Sequence, residues 1–312
     1  MLVYIKPLSM FPKIHSDRLF GAFLSAINEL FPSEIDEILN RFNNNNPPFL
    51  ISSAFPVLVV NDDKIRFFPK LIDNEIKSFD QTILKDFNKV EYIEEEIFLK
   101  IINGRLSQMD ILLNYGNYIR LNNLLLSKEY DKKIEIVSNI TPHNSINRFS
   151  NETKIFYSDG YIYGKNTELF FFINIFDESY TSLIKSCLKF LKDRGFGRDI
   201  STGKGQFDYE IDENDFHFDN EMGNTDNFIT LSRFIPSGDD LKYINEDCFY
   251  EIQSKRGIDK SGDKRSRVHF FKEGSTFNYH KKFHGKIVNV GKYKPAVEYG
   301  YAFPIKYVNG VD

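Results

Sequence analysis

Residues 195–205 read Gly-Phe-Gly-Arg-Asp-Ile-Ser-Thr-Gly-Lys-Gly, directly after Arg194. Gly195, Gly197, Gly203 and Gly205 leave backbone amides uncovered and let a second chain come close. Amide clusters interleaved with cations suit phosphate oxygens. Arg194, Arg198 and Lys204, with the hydroxyls of Ser201 and Thr202 and the ring of Phe196, make this stretch a candidate cradle for a phosphodiester chain. A nucleotide-binding loop is excluded on two counts. Such a loop follows a strand and opens a helix, so that phosphate meets the positive helix end, whereas helix, loop and strand are the order predicted here. The GxxxxGK[ST] spacing also fails, because Gly205 follows Lys204.

Three other groups invite a chemical reading. His15, in Lys13-Ile14-His15-Ser16-Asp17, is of the type that serves as general acid or base in RNA strand cleavage. No second proton-transfer group accompanies it in sequence, and a loop histidine that caps or packs is the simpler reading. His280 and His284 lie four apart, but His-Lys-Lys-Phe-His lacks the glutamate of a zinc protease and sits in a strand-like region. No metal site is expected, and Pro236-Ser237-Gly238-Asp239-Asp240 reads as an ordinary turn. His143, Asn144, Ser145, Asn147 and Arg148 fill a polar stretch whose side chains can bond a phosphate, a 2′-hydroxyl or a base edge. Asn and Ser can equally knit their own turn.

The 312 residues carry 40 Lys plus Arg against 44 Asp plus Glu, a net charge of −4. That excludes a generally basic nucleic-acid coat but not a local basic face. Charge is sorted: residues 206–247 hold 12 acidic and 2 basic side chains, residues 251–286 hold 10 basic and 4 acidic. Unlike surfaces on a near-neutral chain suggest unlike partners. Two cysteines support neither a disulfide framework nor a paired-cysteine zinc site. No apolar run approaches the roughly 18 residues of a membrane span, so a soluble cytoplasmic protein is expected. Phe (31) and Tyr (17) are abundant and Trp absent, a chain-wide bias that weakens Phe as a sign of base stacking.

These residues need elements to hold them. Residues 1–6 read as a strand. Leu19, Phe20, Phe23, Leu24, Ile27, Leu30 and Phe31 fall at helical spacing over 16–31, with Ser16 or Asp17 as cap. A short helix is predicted at 33–42, with Ser33 and Asp36 as a capping box. Strands at 50–60 and 64–70 flank the turn Asn61-Asp62-Asp63. Residues 73–133 read as a mostly helical insertion. From 134 on, the pattern predicts a strand, a polar loop over 141–153, a hairpin turning at Asp159-Gly160 and a buried strand in Leu169–Phe176. A helix over 178–194 ending at Gly195 and a strand from Gln206 complete the order. Strand, helix and paired strands suggest ferredoxin-like units, with room for two: 1–133, carrying the insertion, and 134–312, carrying the glycine loop.

Six segments occur in order along nearly the whole chain: HSDRLFGAF (15–23), SSAFPVL (52–58), HNSINR (143–148), GFGRDISTGKGQF (195–207), EGSTF (273–277) and YGYAFPI (299–305). Together they resemble the RAMP-superfamily subunit of type III-A (Csm) CRISPR effector complexes that caps the 5′ end of the guide RNA, the fourth Csm subunit. Arg198 departs from that pattern, where a small residue often follows the second glycine. The resemblance implies an α+β fold of two ferredoxin-like (RRM-like) domains with antiparallel sheets and a helical insertion. It implies no catalysis, no cofactor and a grip on the crRNA 5′ handle for antiviral defence. It also implies two protein neighbours, the large palm-domain subunit and the crRNA backbone subunit, and no membrane. By carry-over, His15, Ser16, Asp17 and Arg18, the 143–148 residues, the glycine-loop residues and Arg256 face RNA. Two rival readings are a metal-independent crRNA-processing endoribonuclease using His15, and a scaffold that touches protein only.

Overall fold

The computed structural model describes residues 1–73, 79–197, 199–212, 218, 227–258, 264–291 and 296–308. β1 (Leu2–Pro7) leads to α1 (Ser16–Leu30) and α2 (Ile35–Asn43), then to β2 (Phe49–Ile51), β3 (Phe55–Val60) and β4 (Asp63–Pro69). Next come α3 (Gln81–Phe87), β5 (Tyr92–Glu94), α4 (Glu95–Ile102), α5 (Gln108–Leu113), β6 (Ile119–Leu121) and β7 (Leu124–Leu126). A long hairpin, β8 (Ile136–Ile146) and β9 (Thr153–Tyr163), precedes β10 (Thr167–Ile175), α6 (Thr181–Arg194) and β11 (Phe207–Asp212). β12 (Asn227–Thr230), β13 (Ile252–Ile258), β14 (Lys264–Phe271), β15 (Thr276–Asn278), β16 (Val288–Asn289), β17 (Val297–Glu298) and β18 (Pro304–Tyr307) follow.

The main sheet has the order β11-β1-β10-β3-β4-β5-β7-β6, with β2 also on β10. Its pairs are antiparallel except β5 with β7. Leu2–Ile5 and Leu169–Ile173 are buried on both faces of their strands, which requires neighbours on each side and layers above and below. α1 packs against α6, and both turn their apolar stripes (Leu19, Phe20, Phe23 and Ile27; Ile184, Cys187, Leu188 and Leu191) into one core. Phe20 meets Phe42 edge-on at 4.9 Å and Tyr299 at 4.8 Å, so the first helix is locked to the last fifth of the chain. Truncating such a ring costs about 3–5 kcal/mol.

The antiparallel α+β class stands, but the sheets divide differently from the two expected units. The main sheet draws β1, β3 and β4 from one side of the 133/134 boundary and β10 and β11 from the other. The remaining strands form a three-stranded sheet, β15-β12-β18, and separate two-stranded ladders. The 73–133 segment is likewise no detached insertion. β5, β6 and β7 extend the main sheet, and Ile97, Phe98, Ile101 and Ile102 of α4 enter its core.

Local chemistry explains which elements formed as read. Asn61 and Asp62 take φ of 47° and 73° between Val60 and its partner Asp63, the two-residue turn such residues favour. α6 ends at Gly195 at φ 92°. The cap of α1 is instead His15, with no side-chain cap, because the Ser16 and Asp17 side chains are engaged elsewhere. α2 lacks the expected capping box and is preceded by a 3-10 turn at Pro32–Glu34.

The polar loop over 141–153 and the turn at Asp159-Gly160 are both corrected. β8 and β9 pair without interruption from Ile136↔Tyr163 to Ile146↔Thr153. Gly160 lies inside β9, where a Cβ would come 2.8 Å from Met10 Cε and 3.3 Å from the Phe11 carbonyl. It marks a close approach rather than a turn. The turn falls at 147–152, where Asn147 Oδ1 accepts from Phe149 N at 2.9 Å and Asn151 adopts φ 55°.

Candidate nucleic-acid interface

The segment before α1, the strand β9 and the glycine loop surround an open groove of about 830 Å³. Each wall is fixed by a different device. Phe11 exchanges two backbone hydrogen bonds with Tyr161, both 2.8 Å, which pins the 8–15 segment to the hairpin. Phe196 is buried and stacks on Phe11 at 5.6 Å, anchoring the glycine loop by its one large apolar residue. Phe196 N donates to the Gly205 carbonyl at 2.8 Å and Gly205 N to the Met10 carbonyl at 2.9 Å.

The glycines are required by this closure. Gly195, Gly197, Gly203 and Gly205 have φ of 92°, 110°, 78° and 75°, values that side chains disfavour. A Cβ at Gly205 would overlap the Phe196 carbonyl oxygen. Ser201, Thr202 and Gly203 form the exposed outer rim. Thr202 Oγ1 donates to the Asp199 carbonyl at 2.8 Å. Arg198 lies outside the described residues. Arg194, at the edge of the groove, pairs with Glu29 and lies over the Phe190 ring at 5.6 Å.

Lys204 crosses from the loop to the hairpin. Its Nζ donates to His143 Nε2 at 3.0 Å and also to Ser158 Oγ, while His143 Nε2 lies 3.0 Å from Ser158 Oγ. The imidazole stacks on its cross-strand partner Phe156 at 5.1 Å and 16°. These two contacts of Lys204 Nζ are an imidazole and a hydroxyl, neither of them a carboxylate. Ser158 and Phe156 belong to β9, in a stretch that reads in sequence as a hairpin around Asp159-Gly160, and sequence reasoning missed both.

The other residues expected at RNA divide. Arg18 is exposed on the groove and donates to the Lys13 carbonyl at 2.9 Å. Asn144, Ser145 and Arg148 are exposed toward the hairpin tip. Asn147 is exposed too, but its oxygen is spent on its own turn. Ser16 and Asp17 are buried and bonded within the protein. Ser16 N donates to Ser53 Oγ at 2.9 Å, Ser16 Oγ accepts from Arg233 N at 3.0 Å, and Asp17 pairs with Arg233 at 3.1 Å and with Lys255. They join α1 to the C-terminal region.

His15 ends the same network. Its Nδ1 is 2.8 Å from Glu273 Oε1, which also accepts from Ser53 Oγ at 2.5 Å. Burial pushes His15 below the ordinary imidazole value despite Glu273. Burial alone would raise Glu273, but His15, Arg233 and Ser53 hold it below the carboxylate range. Glu273 lies in the motif EGSTF, and its partner could not be read from sequence because 258 residues separate the two.

His15 and Lys13 also border a second cavity of about 770 Å³, which gathers Lys70, Lys85, Lys89, Lys272 and Arg233 on its walls. Burial, with repulsion from Lys272, lowers Lys70 to about 8. On the other side, Gly257 of β13 reaches the first groove. Beside it Arg256 is exposed, donates to the Arg265 carbonyl at 3.0 Å and stands directly opposite Arg267. Like charges directly opposed on a ladder are destabilising on their own. The cations around the second cavity are interleaved with acids, Lys13 lying 3.6 Å from Glu91 and Lys272 3.0 Å from Glu251.

Residues 223–307 match the family described as CRISPR Csm4 C-terminal domain. No curated protein matches the chain. Among solved structures, a chain of the Csm3-Csm4 subcomplex in the type III-A CRISPR-Cas interference complex is similar at a TM-score of 0.71 and 17% identity, covering 99% of each chain. A chain of the Csm1-Csm4 cassette in complex with cA4 is similar at 0.58 and 17% identity, covering 100% of this chain and 99% of that one. The cassette in complex with AMPPNP gives 0.56 and 17%, with the same coverage. Among the described residues, no helix is long and apolar enough to cross a membrane. Residues 223–307 thus match a Csm4 C-terminal domain, and the chain shares its fold along its whole length with chains of Csm4-containing structures.

Proposed function

We propose that this chain is a non-catalytic RNA-binding subunit of a type III-A CRISPR effector complex, holding the crRNA 5′ handle. In this role it bridges the large palm-domain subunit to the backbone subunits and serves antiviral defence. The observation that carries the reading is Lys204, an ammonium held at the groove by His143 and Ser158, beside a rim of exposed glycine backbone. The amides of Gly195, Phe196, Thr202, Gly203 and Gly205 are bonded within the protein, so the Lys204 ammonium is the group that supports a phosphate contact. The partners named for the similar structures, Csm3 and Csm1, fit the two neighbours the reading requires. A tagged chain recovered from native extract, with its RNA sequenced, should return RNAs sharing one repeat-derived 5′ end. Unselected cellular RNA in that fraction would contradict the reading.

A further inference from the structure

His280 and His284, set aside on spacing, converge in the fold on one buried carboxylate. Ser237 and Asp240 form a capping box: Asp240 Oδ2 accepts from Ser237 N at 2.8 Å and Ser237 Oγ at 2.6 Å, and Asp240 N donates to Ser237 Oγ at 3.2 Å. Gly285 N adds a third donor to Oδ2 at 3.0 Å. The carboxylate is thereby fixed, and Oδ1 is turned toward His280 Nε2 and His284 Nδ1, each 3.4 Å away. Bonds of about 2.0–2.2 Å arranged tetrahedrally around a cation separate their donor atoms by about 3.3–3.6 Å; the three donor atoms here lie within 4.8 Å of one another, so the two imidazoles draw together when an ion binds. The side chains of Asp240, His280 and His284 are only 2%, 10% and 1% exposed.

The surroundings orient both rings. His280 Nδ1 lies 3.3 Å from the Asn278 carbonyl, and in the tautomer that donates there Nε2 is the ligating nitrogen. Tyr243 stacks on that ring at 3.8 Å, and Phe228 covers His284 at 4.5 Å, so both imidazoles are held in orientation. Asp240 Oδ1, His280 Nε2 and His284 Nε2 are all buried without a well-formed hydrogen bond. A buried carboxylate oxygen with two ring nitrogens 3.4 Å away is a place for a cation. Lys281 answers part of that need, with Nζ 2.8 Å from Oδ1. It also reaches Ser237 Oγ at 3.1 Å and Asp239 at 4.0 Å, so its ammonium has other places to go.

We propose that Asp240, His280 and His284 form a three-ligand site for a divalent transition-metal ion of the zinc class, tying the 237–240 turn to the 280–285 segment. Two imidazoles and a carboxylate suit zinc, with a fourth position left for water. The ion displaces the Lys281 ammonium from Oδ1, so Lys281 occupies the position in the metal-free protein.

The full chain, freed of tag and stripped by chelator, is titrated with Co²⁺ alone and then with Zn²⁺ as competitor. The visible absorption of four-coordinate Co²⁺ should rise to one ion per chain and be bleached by Zn²⁺, and zinc should raise the melting temperature. His280→Ala, at the least buried ligand, should lower affinity by more than the roughly 10–100-fold lost with an outer-shell partner. Lys281→Met should bind the ion more tightly than wild type. Absence of a Co²⁺ band in the wild-type chain overturns the proposal even if the variants fail to fold. An equal band in folded His280→Ala overturns it as well, since the ion would then sit elsewhere.

Discussion

At the scale of single residues, buried charge decides what this protein does with pH. Lys70 carries a pKa lowered from 10.5 to about 8, by burial first and then by Lys272. Its charged form is therefore disfavoured by folding, a penalty fully present below pH 8 that fades as pH rises toward 10.5. Lys70→Met should stabilise the chain at pH 7 by up to about 3 kcal/mol and lose that advantage by about pH 10.5. The Phe87 carbonyl that Lys70 contacts keeps its bond from Val90 N, so no acceptor is orphaned. Melting curves at pH 7 and pH 10.5 check this, and a gain unchanged with pH would place the cause outside Lys70's charge. His15 gives a second residue-scale outcome. Bound to Glu273 and largely buried, it acts in our reading as a structural link, so the purified chain should leave labelled RNA intact with or without metal. Specific cleavage abolished by His15→Ala would sink that reading.

Among the elements, the glycine loop divides cleanly into positions that can and cannot change. Gly205→Ala sets a side chain against the Phe196 carbonyl at φ 75°, and the chain should lose several kcal/mol or fail to fold. Gly203→Ala faces open space at φ 78° and should cost only about 1–2 kcal/mol. Equal melting temperatures for the two variants would contradict the closure described here. This loop was legible in sequence because glycine spacing and the end of α6 are local signals. The helices α1 and α6, the strand β10 and the Asn61-Asp62 turn were legible for the same reason. The β8–β9 hairpin was not: its outward Ile140, Ile146 and Ile155 are exposed, so no buried face imposed alternation. The 143–148 stretch consequently read as a loop. Nor could spacing reveal that Ser16 and Asp17 turn inward, since their partners Arg233 and Lys255 lie more than 200 residues away.

Across the whole molecule, unlike charge meets unlike neighbours. On β11, Asp208 and Glu210 are answered by Lys192 and Lys64 at 2.7 and 2.8 Å, while the β13–β14 hairpin opposes Arg256 to Arg267. A surface that repels itself is relieved by a polyanion or an acidic partner. Co-expression with the large palm-domain subunit and the backbone subunit should give stable complexes with both. Failure of both to co-purify would remove the bridging role. With a net charge of −4, the isolated chain should bind RNA weakly and tighten once a neighbour completes the channel.

The account rests on the groove as a phosphate cradle, and salt dependence tests that most directly. Each phosphate contact to a single strand contributes about 0.7 to the slope of log K against log salt. In the reconstituted subcomplex, Lys204→Ala should flatten the slope by about 0.7, and Arg198→Ala with Lys204→Ala by about 1.4, weakening handle and unrelated RNA alike. Asn147→Ala, whose oxygen serves its own turn, should leave the slope unchanged. A double variant with the wild-type slope would show that RNA phosphates do not lie against this loop.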